Sequence, residues 1–217
     1  MIRILGGRAR SEAGFTVVEL SVALALASMI FAAMVTVLYS FSQQAGDAGQ
    51  RANLQSTTRE LIARMVVELR QAVKVTPNGF PVESLDGDHI VFYSDRLPTE
   101  GPERVVYQRT NCADGLCELW VTRYPAVAGT GPWWTFSTTP LISTMVLRRV
   151  PDNQPLFAGT EWLGDPVAKF YINSCGPDGP ACSFPLVTIT LRARPVFTSA
   201  GADTVFQVEE EVRLRNG

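Results

Sequence analysis

The chain has 217 residues, of which 46% are hydrophobic and 18% are charged, and this composition excludes a disordered or fibrous protein. Its length suits one ordinary domain plus an additional element. The formal net charge of −2 argues against a general nucleic-acid-binding protein, which would carry a strongly basic face, so no nucleic-acid partner is expected.

The first predicted element is a hydrophobic helix. The residues from Leu20 to Phe41 are uncharged and include neither Pro nor Gly. A helix needs about 20 such residues to cross a bilayer. The segment before it carries Arg3, Arg8 and Arg10 against a single acid, so the positive-inside rule predicts a cytoplasmic N-terminus and export of everything after the helix.

A cleaved secretory signal peptide is the alternative reading of this segment. Ala23-Leu24-Ala25 and Ala25-Leu26-Ala27 match a loose A-x-A cleavage pattern. Either cut would leave further apolar sequence up to Phe41, whereas polar sequence normally follows an ordinary signal peptide. The sequence therefore favours a helix that is retained.

Glu19 is the one charged residue inside the stretch from Phe15 to Phe41. An acid deep in a membrane costs roughly 2.5–3.5 kcal/mol on insertion scales. Such a residue is a functional-site hypothesis by default, and it calls for a partner.

The stretch Gly14-Phe15-Thr16-Val17-Val18-Glu19 resembles the type IV prepilin processing site. In that family a short basic leader ends in Gly, a dedicated peptidase cuts after it, and the new N-terminal Phe is methylated. Glu is then the fifth residue of the mature chain, and a long apolar run follows. The resemblance implies a leader over residues 1–14, processing at Gly14 and Phe15, and a transmembrane or filament-core helix over residues 15–41.

The same resemblance implies that Glu19 acts in filament assembly. Cutting after Gly14 frees an ammonium group on Phe15, and the carboxylate can pair with the ammonium of its own or a neighbouring subunit. In a low-dielectric filament core this pairing offsets a desolvation cost that neither ion could bear alone. The pair would set the axial offset between subunits. The alternative is an acid that merely tolerates the membrane interface.

Residues 42–76 predict an amphipathic continuation of the helix. The apolar residues that recur at three- and four-residue spacing are Leu54, Leu61, Ile62, Met65, Val66, Leu69 and Val73. The charged residues, including Glu68, are expected on other faces, with Glu60 and Arg64 as an exposed pair four residues apart. The two glycines of this segment are points where the helix is expected to bend or fray.

Residues 77–217 predict an exported β-rich domain. Short segments in which apolar and polar residues alternate are separated there by turn-rich stretches. The predicted strands are 89–95, 104–109, 117–124, 144–150, 166–173, 186–194 and 205–215. The stretches TPNGFPVESLDGD and AVAGTGP are interpreted as turns. The expected fold class is α+β, with one antiparallel sheet packed on the second half of a long helix, as in pilins.

Three details of this domain carry expectations. Alternation in the strand after residue 185 predicts four inward side chains, namely Val187, Ile189, Leu191 and Ala193. Glu210 falls on the apolar face of the last strand, and a bulge is the one explanation available. Trp133 and Trp134 lie in a Gly- and Pro-rich stretch, where packing under the loop is favoured over an exposed contact surface.

Four cysteines stand in this segment, at Cys112, Cys117, Cys175 and Cys182. An even number in an exported domain favours disulfides, and four allow three connectivities. Proximity favours Cys112 with Cys117 and Cys175 with Cys182. A four-thiolate zinc site is the alternative, but C-x4-C and C-x6-C differ from the usual C-x2-C spacing, so no metal site is predicted.

Signatures of catalysis are few. His89 is the single histidine, which excludes a two-His zinc site, and the sequence has neither G-x-S-x-G nor a phosphate-binding P-loop. We therefore predict no catalytic residue, no cofactor and no enzyme. Calcium held by Glu83, Asp86 and Asp88 is a weaker alternative, because acidic turns are more often solvated.

The ending EEEVRLRN and the helix TTRELIARMVVELRQA are similar to minor pilins of the PilW type and their pseudopilin relatives. The resemblance implies a minor pilin or pseudopilin that assembles into, primes or caps a type IV pilus. Implied partners are other pilins or pseudopilins, prepilin peptidase, an inner-membrane assembly platform and, before assembly, the membrane. The implied location is a single-pass inner-membrane protein with a periplasmic or extracellular domain, and then the filament.

Four other functions stay open. A type II secretion pseudopilin or a competence pseudopilin uses the same design. A bitopic membrane-anchored binding protein is more remote. An enzyme is the least expected, and its sign would be His89 in a pocket beside acidic residues.

Overall fold

A computed structural model describes residues 16–77, 79–96, 101–130, 133–162, 169–172, 175–176, 186–195 and 205–214. The chain divides into two compact units, Met1–Ala48 and Gly49–Gly217. The first unit contains the hydrophobic half of the single long helix. The second contains the remainder of that helix and the β-strands.

Helix α1 spans Val17–Arg70 and continues through Gly46 and Gly49 without interruption. It ends before residue 76 because the chain joins a sheet there. The N–H of Val73 donates to the carbonyl oxygen of Tyr93 at 2.9 Å, one residue after an isolated bridge between Ala72 and Ser94. Pairing with a strand requires an extended backbone, which is incompatible with further helix.

The first unit is one exposed helical segment. All described residues from 16 to 46 are solvent-exposed, including the large apolar side chains of the predicted span. Among the described residues, α1 is the single helix long and apolar enough to cross a membrane by length and composition.

The first sheet of the second unit has six antiparallel strands. They are β1 (Val82–Leu85), β2 (His89–Ser94), β3 (Glu103–Ala113), β4 (Leu116–Thr130), β5 (Trp133–Phe136) and β6 (Ile142–Pro151). The strand order is β1-β2-β3-β4-β5, and β6 also pairs with the long strand β4. Asp114 and Gly115 connect β3 to β4 with φ of 54° and 72°, which is the Asp-Gly turn chemistry of a tight hairpin.

A second antiparallel sheet has four strands. They are β7 (Phe157–Trp162), β8 (Lys169–Ile172), β9 (Leu186–Ala193) and β10 (Phe206–Arg213), in the order β10-β9-β7-β8. The expectation of one sheet is therefore wrong for the described residues. Leu156 and Phe157 are almost completely buried, so the chain leaves β6 to begin a new layer of the core rather than to extend the first sheet.

Three strands lie in stretches that were not predicted as strands. β1 and β5 occupy sequence interpreted as turns or loop, and β7 was not assigned. In each case Gly or Pro stands within or beside the strand, so the local sequence has a low strand propensity. Pairing with a neighbouring strand nevertheless holds the segment extended.

The second half of α1 packs against strands of both sheets and forms one hydrophobic core. Helix residues in this core include Leu61, Ile62, Met65 and Leu69, as the helical periodicity predicts. They join Phe92, Tyr107, Leu119, Leu147, Phe157, Ile189, Leu191, Val212 and others. Each fully buried aliphatic or aromatic side chain contributes roughly 1.5–3 kcal/mol, so this packing rather than propensity holds the helix end in place.

The β9–β10 pair confirms the predicted alternation. Val187, Ile189, Leu191 and Ala193 are all fully buried. Glu210 pairs with Ile189 in an uninterrupted register, so the suggested bulge is absent, and its side chain is exposed. β10 is the outer strand of the described sheet, where an acid on the apolar face discourages pairing with another chain.

Candidate functional site

The start of α1 is closed by two residues that bond to each other. The backbone N–H and hydroxyl of Thr16 both donate to Glu19 Oε2, at 3.0 and 3.1 Å. The N–H of Glu19 donates in return to Thr16 Oγ1 at 3.2 Å. This reciprocal arrangement is a capping box, which satisfies N–H groups that the first turn of a helix leaves free.

The capping box gives Glu19 a local partner that the sequence reasoning missed. The signal was present, because Thr16-Val17-Val18-Glu19 has the T-x-x-E spacing of such a box. Both donors use Oε2, and neither bond involves Oε1. The predicted processing residues Gly14 and Phe15 lie outside the described residues.

The helix beyond the capping box exposes its apolar side chains on every side. Val17 is 84% exposed and Phe41 is 70% exposed, and the positions between them are exposed as well. Exposed apolar area costs about 25 cal/mol per Å² in water. A segment of this kind needs a bilayer or other apolar helices around it.

Glu68 on the second half of α1 is completely buried and accepts four hydrogen bonds. Arg123 Nη2, Arg96 Nη1 and Arg64 Nε donate to Oε1 at 2.6, 2.9 and 3.2 Å. The Tyr107 hydroxyl donates to Oε2 at 3.0 Å. Burial, followed by the charge of Glu68, raises the pKa of Tyr107, so its hydroxyl stays protonated and can donate.

The position of Glu68 corrects two expectations. Glu68 was expected away from the apolar face, and Arg64 was expected to pair with Glu60; instead, Arg64 pairs with buried Glu68. A signal existed in the sequence: Leu61, Met65 and Glu68 follow each other at four- and three-residue spacing and so share one stripe of the helix.

A second carboxylate, Glu83 on β1, is held by two residues of neighbouring strands. Arg104 donates from Nε to Oε2 at 2.6 Å and from Nη2 to Oε1 at 2.9 Å, and the Tyr93 hydroxyl donates to Oε2 at 2.9 Å. Burial raises the pKa of Glu83, but these hydrogen bonds and the Arg104 charge lower it by more, so the pKa lies below its ordinary value of 4.5.

Glu83→Gln is expected to lower the free energy of unfolding by about 1–2 kcal/mol at pH 7, because it breaks a two-point, partly buried ion pair. Since the folded-state pKa is depressed, the wild type holds this stabilisation above pH 4.5 and loses it as the pH falls through the folded pKa. Denaturant titrations at several pH values should show the two proteins converging in acid. Glu209→Gln, at an exposed position on β10, is the matched control. A constant difference at all pH values would contradict this assignment.

Ser84, His89 and Asp86 form a hydrogen-bonded chain at the β1–β2 hairpin. His89 Nδ1 lies 2.7 Å from Asp86 Oδ2, and Ser84 Oγ lies 3.3 Å from His89 Nε2. Asp86 Oδ1 also accepts the N–H groups of Asp88 and His89, so it closes the turn. His89 does therefore lie beside an acid.

The order Ser–His–Asp is that of a hydrolase triad, but acyl transfer also needs free N–H donors for an oxyanion. The N–H of Leu85, directly after Ser84, donates to the carbonyl oxygen of Cys175 at 2.9 Å. The N–H of Asp86 donates to the carbonyl oxygen of His89 at 2.9 Å. These two donors are thus occupied, and the bonds of Asp86 Oδ1 close the hairpin turn.

The residues considered for calcium have other partners. Glu83 pairs with Arg104, Asp86 with His89, and Asp88 makes a close contact with Arg109. Among the described residues, no group of three or more His, Cys, Asp or Glu side chains is arranged to hold a metal ion.

The two adjacent tryptophans belong to strand β5 rather than to a loop, and they differ in environment. Trp133 is 65% exposed. Trp134 lies over Gly101, where an added Cβ would come within 2.6 Å of its ring. The predicted packing is therefore confirmed for Trp134, whereas the side chain of Trp133 is exposed to solvent.

Cys112 and Cys117 form a disulfide across the β3–β4 hairpin, as their proximity in the sequence predicts. Cys175 is also disulfide-bonded. Cys182 lies outside the described residues, so its pairing with Cys175 stays a prediction. The short loop closed by the first bond gives a model-dependent stabilisation of about 2 kcal/mol.

The structure defines an α+β protein whose N-terminal helix is long and apolar enough to span a membrane and whose remaining described part is antiparallel β-structure. No family model matches the chain, and neither a curated protein nor a solved structure matches it.

Proposed function

We propose that this chain is a minor pilin or pseudopilin that is cut after Gly14, methylated on Phe15 and assembled into a type IV pilus. The observation that carries the proposal is the position of Glu19. It is the fifth residue after Gly14 and stands at the start of a helix that exposes its apolar side chains on every side.

The exposed half of α1 supports assembly through the helix. Its apolar side chains are absent from the core of the second unit, which uses α1 only from Leu54 onward. They are covered first by the bilayer and then, in the filament, by the helices of neighbouring subunits.

The capping box supports a role for Glu19 in this assembly. Thr16 occupies Oε2, and Oε1 takes part in neither bond, so it can accept a hydrogen bond from an ammonium group. Processing would create that ammonium on Phe15. The pair would be charge-assisted and shielded from water, where such bonds are strongest.

Mass spectrometry of the N-terminus tests this proposal. The chain purified from a host with prepilin peptidase is expected to begin at a singly methylated Phe15, and Gly14→Val is expected to leave the leader attached. Ala13→Val, at the preceding position, is the control and should be cut normally. An intact Met1 on the wild-type chain would overturn processing and favour an uncleaved anchor.

A type II secretion or competence pseudopilin shares all these features, and neighbouring genes for retraction, secretion or DNA uptake would discriminate among the systems. A membrane-anchored binding protein is the second candidate, because an arginine-lined cavity lies in the β-rich unit. Deletion of the gene followed by imaging of surface filaments separates it from the pilins, since loss of an anchored binding protein leaves filaments unchanged.

A further inference from the structure

A cavity of about 270 Å³ lies beside the buried carboxylate Glu68. It is lined by Arg64, Arg96, Val121, Arg123, Ile142, Thr144 and Val146. The three arginines all donate to Glu68, so the cavity is formed by the same side chains that bury this carboxylate.

The charges around the cavity do not balance. Among the described residues, two fully buried acids are bonded to this group: Glu68, which accepts from all three guanidinium groups, and Glu103, whose Oε2 accepts the backbone N–H of Arg96 at 3.4 Å. Three cations and two anions leave a formal charge of +1. Arg64 and Arg96 are 51% and 43% exposed, so water screens part of this charge, and a bound anion matters most to the buried Arg123.

Arg123 supplies a second, independent observation. Its side chain is 3% exposed, and its Nη2 is engaged by Glu68. Its Nη1 is buried and has no hydrogen-bond partner. A buried donor without an acceptor is unfavourable, and in a native structure it indicates a missing partner.

We propose that this cavity binds a monoanionic carboxylate that carries a short apolar stem. A guanidinium group presents parallel N–H donors that match a carboxylate, and one negative charge neutralises the cluster. Val121, Ile142 and Val146 provide an apolar wall for the stem. A dianion such as phosphate exceeds the available charge and has no use for that wall. The inference does not depend on the filament proposal.

Butyrate is the probe, added to the full chain in detergent micelles at constant ionic strength. We expect a saturable rise in the melting temperature of the β-rich unit. Butyramide has the same shape without the charge, and inorganic phosphate has the charge without the stem. Each is expected to give less than a third of the butyrate shift. Equal shifts for butyrate and butyramide would overturn the proposal.

Two variant pairs locate the site. Thr144→Phe fills the cavity from β6 and should abolish the butyrate shift, whereas Ser143→Phe, one residue away and outside the lining, should keep it. Arg64→Gln should weaken butyrate binding at least tenfold, whereas Arg59→Gln on the exposed helix face should not. Arg64 is 51% exposed, and without it Glu68 still accepts from Arg96, Arg123 and Tyr107, so we expect this variant to fold. Unchanged binding by both cavity variants would contradict the assignment.

The carboxylate can come from a free acid or from a second copy of the chain, whose Glu209 and Glu210 are exposed on β10. Sedimentation of the full chain in detergent distinguishes the two sources. Dissociation of oligomers by butyrate, reproduced by Glu209→Gln with Glu210→Gln, identifies the second copy. Sedimentation that butyrate leaves unchanged identifies a free acid. Both results uphold the same carboxylate chemistry.

Discussion

Glu19→Gln is expected to remove the chain from assembled filaments while leaving its helix intact. Gln can accept the same hydrogen bonds from Thr16 and so preserves the capping box, but it has no charge to pair with an ammonium group. Breaking a buried ion pair costs about 3–5 kcal/mol, and a loss of about 1.4 kcal/mol already lowers an equilibrium constant tenfold. Immunoblots of sheared filaments against the membrane fraction should show a loss of at least about tenfold.

Thr16→Val provides the matched control, because it keeps the carboxylate of Glu19 and removes the hydroxyl of the box. Loss of such a cap costs a helix about 1 kcal/mol. Incorporation should therefore stay near the wild-type level. If Thr16→Val fails to assemble and Glu19→Gln assembles normally, the carboxylate acts as a cap and the ionic mechanism is wrong.

Glu68→Gln is expected to destabilise the β-rich unit by about 3–5 kcal/mol, because it leaves the buried guanidinium group of Arg123 without its counter-ion. Tryptophan fluorescence during denaturant unfolding of the full chain measures the change. Glu60→Gln, at an exposed position on the same helix, should change the free energy of unfolding by less than about 0.5 kcal/mol.

Tyr107→Phe extends the test to the other oxygen of Glu68. A double-mutant cycle between the two positions is expected to give a coupling energy of about 0.5–3 kcal/mol, as for groups in one network. A Glu68→Gln loss below about 1 kcal/mol with no coupling to Tyr107 would show that the cluster is solvated and not buried.

The sequence predicted best what depends on local pattern. The hydrophobic half of α1 needs only a long uncharged run, and its amphipathic half repeats Leu61, Met65 and Leu69 at helical spacing. The apolar run of β2 fixed its location, and the alternation in β9 fixed both its location and its inward residues. In these segments local preference and tertiary packing agree.

Prediction failed where distant parts of the chain decide the outcome. Three of the four partners of Glu68 lie 28, 39 and 55 residues further along the chain: Arg96 just after β2, Tyr107 on β3 and Arg123 on β4. Nothing near Glu68 distinguishes it from the solvated acid Glu60 except its register on the apolar stripe. Strands β1 and β7 likewise depend on the strands they pair with, and their own sequences contain few strand signals.

At the candidate processing site, too, one feature was predicted from the sequence and another was missed. The resemblance singled out Glu19 from residues that adjoin it, and the helix start was therefore predictable from sequence. The T-x-x-E spacing of Thr16 and Glu19 also predicts their hydrogen bond, but the role predicted for Glu19 was an ionic one. The bonds from Thr16 both end on Oε2, so the capping box is compatible with the ionic role that we propose.

The core of the β-rich unit joins Leu61 on the helix to Leu214, the residue after β10. The apolar stripe of the helix therefore cannot complete its packing until β10 has been synthesised, and contacts between such distant residues form slowly. During that delay the apolar face of the second half of α1 and several unpaired strand edges are exposed to solvent. Production of this protein should accordingly benefit from slow translation and from chaperones that shield apolar segments.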